Sequence, residues 1–293
     1  MLAALRNVTP FTRSILSSRC MSTQNTFLRS TEASQASEAS SAVPPPVYRA
    51  EGLFAVDKPL HWTSSQVVSY LRGILERDAR TRGAQLPRRS PRIKMGHGGT
   101  LDPLANGVLV LGVGHGTKQL QSYLSGSKAY RAGGEFGFET NTLDMEGNIT
   151  RRAAYDHIHD LEHVRPHFVG TIEQIPPLFS AIKQDGQRLY QKARKGHTDV
   201  DIPARSVTIY ELQFLNVNLP KFDIEVECGG GTYIRSLIRD IAYQLDTVAT
   251  TTYLQRIKQG PFTLEDCLQK EDWTADNIYA AIERHQQKLL ELI

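Results

Sequence analysis

Met95-Gly96-His97-Gly98-Gly99-Thr100-Leu101-Asp102-Pro103-Leu104-Ala105-Asn106-Gly107 runs straight into Val108-Leu109-Val110-Leu111-Gly112-Val113. The second stretch is an apolar run rich in β-branched residues, the pattern of a buried strand. The first holds one carboxylate, Asp102, placed after three glycines in the four positions 96–99. Glycines admit left-handed or closely approached backbone, and Pro103 fixes φ directly after the acid. The junction therefore sets a single acid on a stiff loop that leads into a core strand. A catalyst would stand there, and a turn that merely exposes an aspartate would read the same from spacing alone.

The 293 residues are 40% hydrophobic, enough for one large domain or two small ones. Cys20, Cys228 and Cys267 have no paired spacing, which points to reduced thiols in a non-secreted protein. No apolar run reaches membrane-spanning length, so a soluble chain without a membrane partner is expected. Residues 1–31 contain no acid and carry Arg6, Arg13, Arg19 and Arg29 among Ser, Thr and apolar residues. That is the composition of a mitochondrial targeting segment; an unselected N-terminus is the alternative. A start at Met21 would remove most of it, giving nuclear or cytosolic protein from the same chain. Residues 32–46 form a low-complexity linker with almost nothing to bury. The folded domain is expected over 47–293.

Gly52-Leu53-Phe54-Ala55-Val56 reads as a buried strand closed by Asp57-Lys58-Pro59. Thr63 and Gln66 have capping-box spacing, and Val67, Val68, Leu71, Ile74 and Leu75 make one apolar face of the helix that follows. Lys58 is either a surface charge or a brace for a nearby acid. From Arg77 to Lys94 seven cations (Arg77, Arg80, Arg82, Arg88, Arg89, Arg92, Lys94) stand against one acid, Asp78. In a chain of net charge +3 such a run, delivered into the Asp102 loop, reads as a phosphate contact rather than an ordinary solvated face. Gly112-Val113-Gly114-His115-Gly116-Thr117-Lys118 fits neither dinucleotide nor P-loop spacing, so it is read as a strand-to-helix turn with no nucleotide cofactor.

Strands are predicted over 128–138, 170–175, 179–183, 205–215, 223–228 and 249–258, and helices over 119–124, 156–168, 188–195 and 277–292. His159, His163 and His167 would share a face of the 156–168 helix; without a matching carboxylate or thiol set they are read as a solvent face and not as metal ligands. Asp144-Met145-Glu146-Gly147 is a turn. Arg235 follows Gly229-Gly230-Gly231 at a strand-to-helix junction, much as Asp102 follows its own glycines.

In this order the motifs resemble the TruB family of tRNA pseudouridine synthases. Residues 52–59 are similar to the family's opening strand, 96–105 to its catalytic loop and Lys128-Ala129-Tyr130-Arg131 to its tyrosine motif. Gln174-Ile175-Pro176-Pro177 with Ser180-Ala181-Ile182-Lys183, Gly231-Thr232-Tyr233-Ile234-Arg235 and Tyr253-Leu254-Gln255-Arg256 complete the set over about residues 50–270. The resemblance implies an α+β fold: one long, mixed but mainly antiparallel sheet flanked by helices, with a central cleft. It implies isomerisation of uridine 55 in the tRNA T-loop to pseudouridine, without a cofactor and without a metal.

Asp102 then matches the catalytic aspartate. Tyr130 matches the tyrosine that stacks on the base and helps remove its proton, and Arg235 the arginine that pairs with the acid. His97 matches the residue that fills the space left by the flipped base, and Leu254 an apolar wall. Lys58, Gly98, Gly99, Thr100, Arg88, Arg89, Arg92 and Lys94 are the further residues expected to contact or support the RNA. The expected partner is the tRNA T-arm; messenger RNA folded like a T-loop would present the same uridine, and the chain is expected to act as a monomer.

Departures from the family pattern are the Gly98 that stands where bacterial members have Thr, a longer basic segment at 76–94, and a C-terminal PUA domain expected to be absent. Two other readings compete with this one. An RNA-folding protein of this fold would not need Asp102, Tyr130, Arg235 and His97 together. A glycosidase generally needs two facing carboxylates, where the matched motifs supply one carboxylate and an arginine.

Overall fold

The computed structural model describes residues 51–84, 86, 93–197 and 200–291. The targeting and linker segments, and the basic residues Arg88, Arg89 and Arg92, lie outside them. In chain order the elements are β1 (Gly52–Lys58), α1 (Ser64–Thr81), β2 (Met95–His97), β3 (Ala105–Val113), α2 (Leu120–Ser125), β4 (Lys128–Phe136), β5 (Phe138–Thr140), β6 (Ile149–Arg152), β7 (Gly170–Gln174), β8 (Lys183–Gln184), β9 (Gln187–Arg188), α3 (Leu189–Arg194), β10 (Arg205–Asn218), β11 (Lys221–Cys228), α4 (Ile234–Gln244), β12 (Ala249–Gln259), β13 (Phe262–Thr263), β14 (Cys267–Leu268) and α5 (Ala275–Glu291).

Ten strands join in one sheet of order β14-β1-β3-β12-β4-β11-β10-β7, with β2 added to β3 and β13 to β12. The β1–β14 and β3–β12 pairs are parallel and the rest antiparallel, which is the mixed, mainly antiparallel sheet that was expected. β11 alternates strictly, with Phe222, Ile224, Val226 and Cys228 buried, because one of its faces meets the core. β3 is buried on both faces, which is why its sequence is apolar throughout. One face joins the large cluster holding α1, α4 and α5; Val108 and Val110 on the other join Leu53, Ala55 and Phe262, covered by Leu120 and Tyr123.

α1 begins at the predicted box: Gln66 N donates to Thr63 Oγ1 (3.1 Å) and Thr63 N to Gln66 Oε1 (2.8 Å). Val67, Leu71 and Leu75 are essentially fully buried. Each such side chain contributes about 1.5–3 kcal/mol of transfer free energy, which outweighs the modest propensity of a helix with two β-branched residues in its first turns.

Two sequence expectations are corrected. Residues 156–168 do not form an α-helix: a 3₁₀ segment covers Glu162–His167 with Pro166 inside it, since proline lacks the donor and clashes with an α-helical turn. His159, His163 and His167 are all exposed. The strand over 179–183 shrinks to Lys183–Gln184, and the Phe179 carbonyl ahead of it instead accepts from Arg235 (2.9 Å).

Candidate active site

The Asp102 loop spans the gap between β2 and β3, and its backbone is fastened nearly residue by residue. Gly98 N donates to Val110 O (2.8 Å), and Gln259 Nε2 donates to Gly98 O (2.8 Å). Arg256 Nη2 donates to Gly99 O (3.2 Å), and Ser64 Oγ accepts from Leu101 N (2.9 Å). The Pro103 carbonyl takes His61 N (2.7 Å) and Lys58 Nζ (3.4 Å). None of these bonds uses the Asp102 carboxylate. The side chain stands free of its own scaffold, one third exposed (33%), with Oδ2 2.7 Å from Arg235 Nη2.

Arg235 sits in the first turn of α4 and is buried. Its second nitrogen donates to Thr142 O and faces Asp144 Oδ2 at 3.4 Å. Asp144, from the turn between β5 and β6, is itself fixed by Thr142 Oγ1 (2.6 Å) and Glu146 N (3.1 Å). One guanidinium thus ties a partly exposed acid to a buried one, and both to two backbone carbonyls.

The parallel β3–β12 pairing sets Leu254 beside Ala105 and Arg256 beside Gly107. Gly107 has φ +100°, and a Cβ there would lie 2.2 Å from Arg256 O, so no other residue fits. Asp102, Leu104, Asp144, Arg235, Thr251 and Leu254 line a cavity of about 10 Å³, room for about one water. Tyr130 on β4 is buried and stands cross-strand from Arg256. Burial pushes its phenol up, and the Arg256 guanidinium opposes that push. His97 lies off the cavity lining, its Nδ1 accepting from Gly99 N (3.4 Å). Burial holds its imidazole below the usual range, with Arg256 and Arg188 adding to the effect.

The predicted residues therefore divide. Asp102, Arg235 and Leu254 meet at the cavity; Gly98 and Gly99 are buried, while Thr100 and Lys94 are exposed. Lys58 is not a surface charge. It is fully buried under the loop, donating to Pro59 O (2.7 Å) and Trp62 O (2.7 Å) as well as Pro103 O, and burial brings it down to about 8 against the pull of Asp102. Asp144, Arg256 and Gln259 were not predicted. Asp144 reads as a turn former, and only the motif around Arg256 gave a signal.

Gly98 now has a reason. A Cβ there would lie 2.7 Å from Tyr123 Cβ on α2. That contact cannot be relieved by rotating a side chain, so the loop or the helix has to move. Gly98→Ala is expected to lower stability by about 1–3 kcal/mol, and Gly98→Thr by more, read as the denaturation midpoint. Unchanged midpoints would show that α2 yields freely.

The sequence model described as TruB family pseudouridylate synthase (N terminal domain) matches residues 88–234. The chain is 46% identical to the human protein named pseudouridylate synthase TRUB1 over 236 residues, 79% of this chain and 68% of that one. It is 42% identical to tRNA pseudouridine synthase B of Phocaeicola vulgatus, covering 74% of this chain and 89% of that one. Among solved structures, a crystal structure of a Cbf5-Nop10-Gar1 complex superposes with a TM-score of 0.55 at 28% identity, covering 79% of this chain and 58% of that chain. This chain therefore spans a little over half the length of that structural relative.

Proposed function

The chain belongs to the TruB family of pseudouridylate synthases, and from that premise we propose how its cleft turns uridine 55 of the tRNA T-loop into pseudouridine. The observation that carries the reading is the Asp102–Arg235 ion pair, 2.7 Å long, at the wall of a cavity lined by Leu254 with Tyr130 buried nearby. A uridine inside a folded loop cannot have its glycosidic bond rearranged in place, so the nucleotide is extruded into the protein. The cavity, with room for about one water, widens as the base enters.

Asp102 acts while the uracil is detached from its sugar, and Arg235 keeps the carboxylate aimed at the sugar. Leu254 and the Tyr130 ring hold the freed base as it turns to present C5 instead of N1. Tyr130 then takes the C5 proton. His97 enters the space the base leaves in the RNA. The rearrangement moves one ring between two bonds of the same sugar and is redox-neutral.

The test is direct. Unmodified tRNA transcript incubated with the chain should gain pseudouridine at position 55 with no free uracil released. Free uracil would support a hydrolytic glycosidase instead, and binding without product an RNA-folding role.

The basic segment 76–94 supports phosphate contact, and Lys94 at its end is exposed. Replacing Arg88, Arg89 and Arg92 with Gln should weaken tRNA binding and flatten the slope of log affinity against log salt by about 2–3. Identical slopes for variant and parent would remove the segment from the interface. Messenger RNAs folded like a T-loop are further substrates in this reading, and the chain works as a monomer. The acid-free first 31 residues support a mitochondrial destination, with a Met21 start supplying nuclear or cytosolic protein. No described helix is long and apolar enough to cross a membrane.

A further inference from the structure

Behind the Asp102 loop lies a group of buried cations that the steps above do not use. Arg256 is 1% exposed, Lys58 0% and Lys128 5%. Lys128 Nζ donates to Leu124 O (3.0 Å) and Gly126 O (2.6 Å), and Lys58 likewise to carbonyls only. Arg256 Nε donates to Val108 O (2.7 Å) and its Nη2 to Gly99 O. Among the described residues no carboxylate forms an ion pair with Arg256. A buried charge bonded to neutral groups alone is costly, and neutral donors can do the same stapling. Gln259, fully buried beside it, holds Gly98 O with an uncharged amide. Bracing the loop does not account for a guanidinium.

What Arg256 faces does account for it. It is paired in register with Tyr130 across the β12–β4 ladder. Cross-strand partners share a face of the sheet, so the cation is presented to the phenol. We infer that Arg256 is a positioning residue for proton removal: its buried charge finds its counter-ion when Tyr130 becomes phenolate. This rests on the reading of Tyr130 as proton acceptor. Burial alone works against that role, because a desolvated phenol holds its proton more tightly, and Arg256 is foremost among the groups that offset it.

In the step itself, Tyr130 has released its phenolic proton to solvent. Its Oη takes the proton from C5 of the re-attached uracil as the C5–H bond breaks. The bonding pair returns to the ring, N1 takes a proton from water, and Tyr130 ends as phenol.

The experiment is single-turnover pseudouridine formation by the full chain on a T-arm hairpin containing uridine or 5-deuterated uridine, across pH. With Arg256→Gln, product formation should slow by about 10²-fold or more, acquire a primary deuterium effect and move the rising limb of its pH profile, where Tyr130 ionises, to higher pH. Arg256→Lys should recover part of the rate. Should Arg256→Gln fail to fold, placing 3,5-difluorotyrosine at position 130 in Arg256→Lys keeps the test open, because fluorination acidifies the phenol and should restore rate. A rate loss that carries no isotope effect and no movement of the pH limb overturns the inference, as does indifference of Arg256→Lys to fluorination. Tyr130→Phe separates the two layers. If it forms product at the parental rate, the Tyr130 reading fails; if it is blocked while Arg256→Gln shows neither signature, only the inference about Arg256 fails.

Discussion

Asp102→Ala is expected to abolish pseudouridine formation in T-arm RNA, by on the order of 10⁴-fold or more, with little change in stability or RNA affinity. The separation follows from how the loop is built. Every bond that fixes it uses backbone atoms of Gly98, Gly99, Leu101 and Pro103, and Asp102 contributes only its own carbonyl to Ala105 N (3.0 Å). Removing the carboxylate leaves those bonds in place. Arg235 keeps Asp144, Thr142 O and Phe179 O as partners, so no buried cation is orphaned. Pseudouridine-specific chemical labelling of the RNA, with a filter-binding control, reads both quantities. Product at the parental rate would strip Asp102 of its role; loss of binding together with product would make the loop a docking element first.

The second large effect is on stability as well as rate. Arg235→Met removes the one side chain that Asp102, Asp144 and two backbone carbonyls share. Asp144 then remains buried with its charge uncompensated, and breaking such a pair from one side costs about 3–5 kcal/mol. Against a total stability of about 5–15 kcal/mol for a typical domain, the denaturation midpoint should fall visibly. Arg235→Lys should rescue only part of the rate, because a single ammonium cannot serve four acceptors in one plane. Asp144→Asn on its own should cost less, and the double variant should be more stable than the two single losses predict, since the orphaned charge is gone. Additive losses would mean that the two acids do not communicate through the arginine.

Local rules were legible in the chain where one segment decides its own shape. The Thr63–Gln66 box, the alternation of Phe222, Ile224, Val226 and Cys228, and the doubly buried run Val108–Val113 each carry their structure in a few consecutive residues. The Asp102–Arg235 pair was legible only through several motifs held in one order, because no local rule links residues that far apart. Asp144 escaped for a related reason: it does form a turn, and its bond to Arg235 spans 91 positions. Lys58 and Arg256 look like ordinary surface cations until the sheet closes over them. The 156–168 helix failed on Pro166, where apolar spacing competes with a missing donor, and along 179–183 the chain serves a side chain of α4, a distant partner that no local pattern announces.

The small cavity beside Asp102 has a bearing on selectivity. Widening a site that admits one water until it takes a pyrimidine costs free energy, and contacts far from the reacting sugar have to supply it. A lone nucleoside brings no such contacts, whereas a folded arm brings its whole phosphate backbone. On the proposed function, the cleft should open to the architecture of an RNA before it tests the identity of a base, and uridines outside that architecture should be poor substrates.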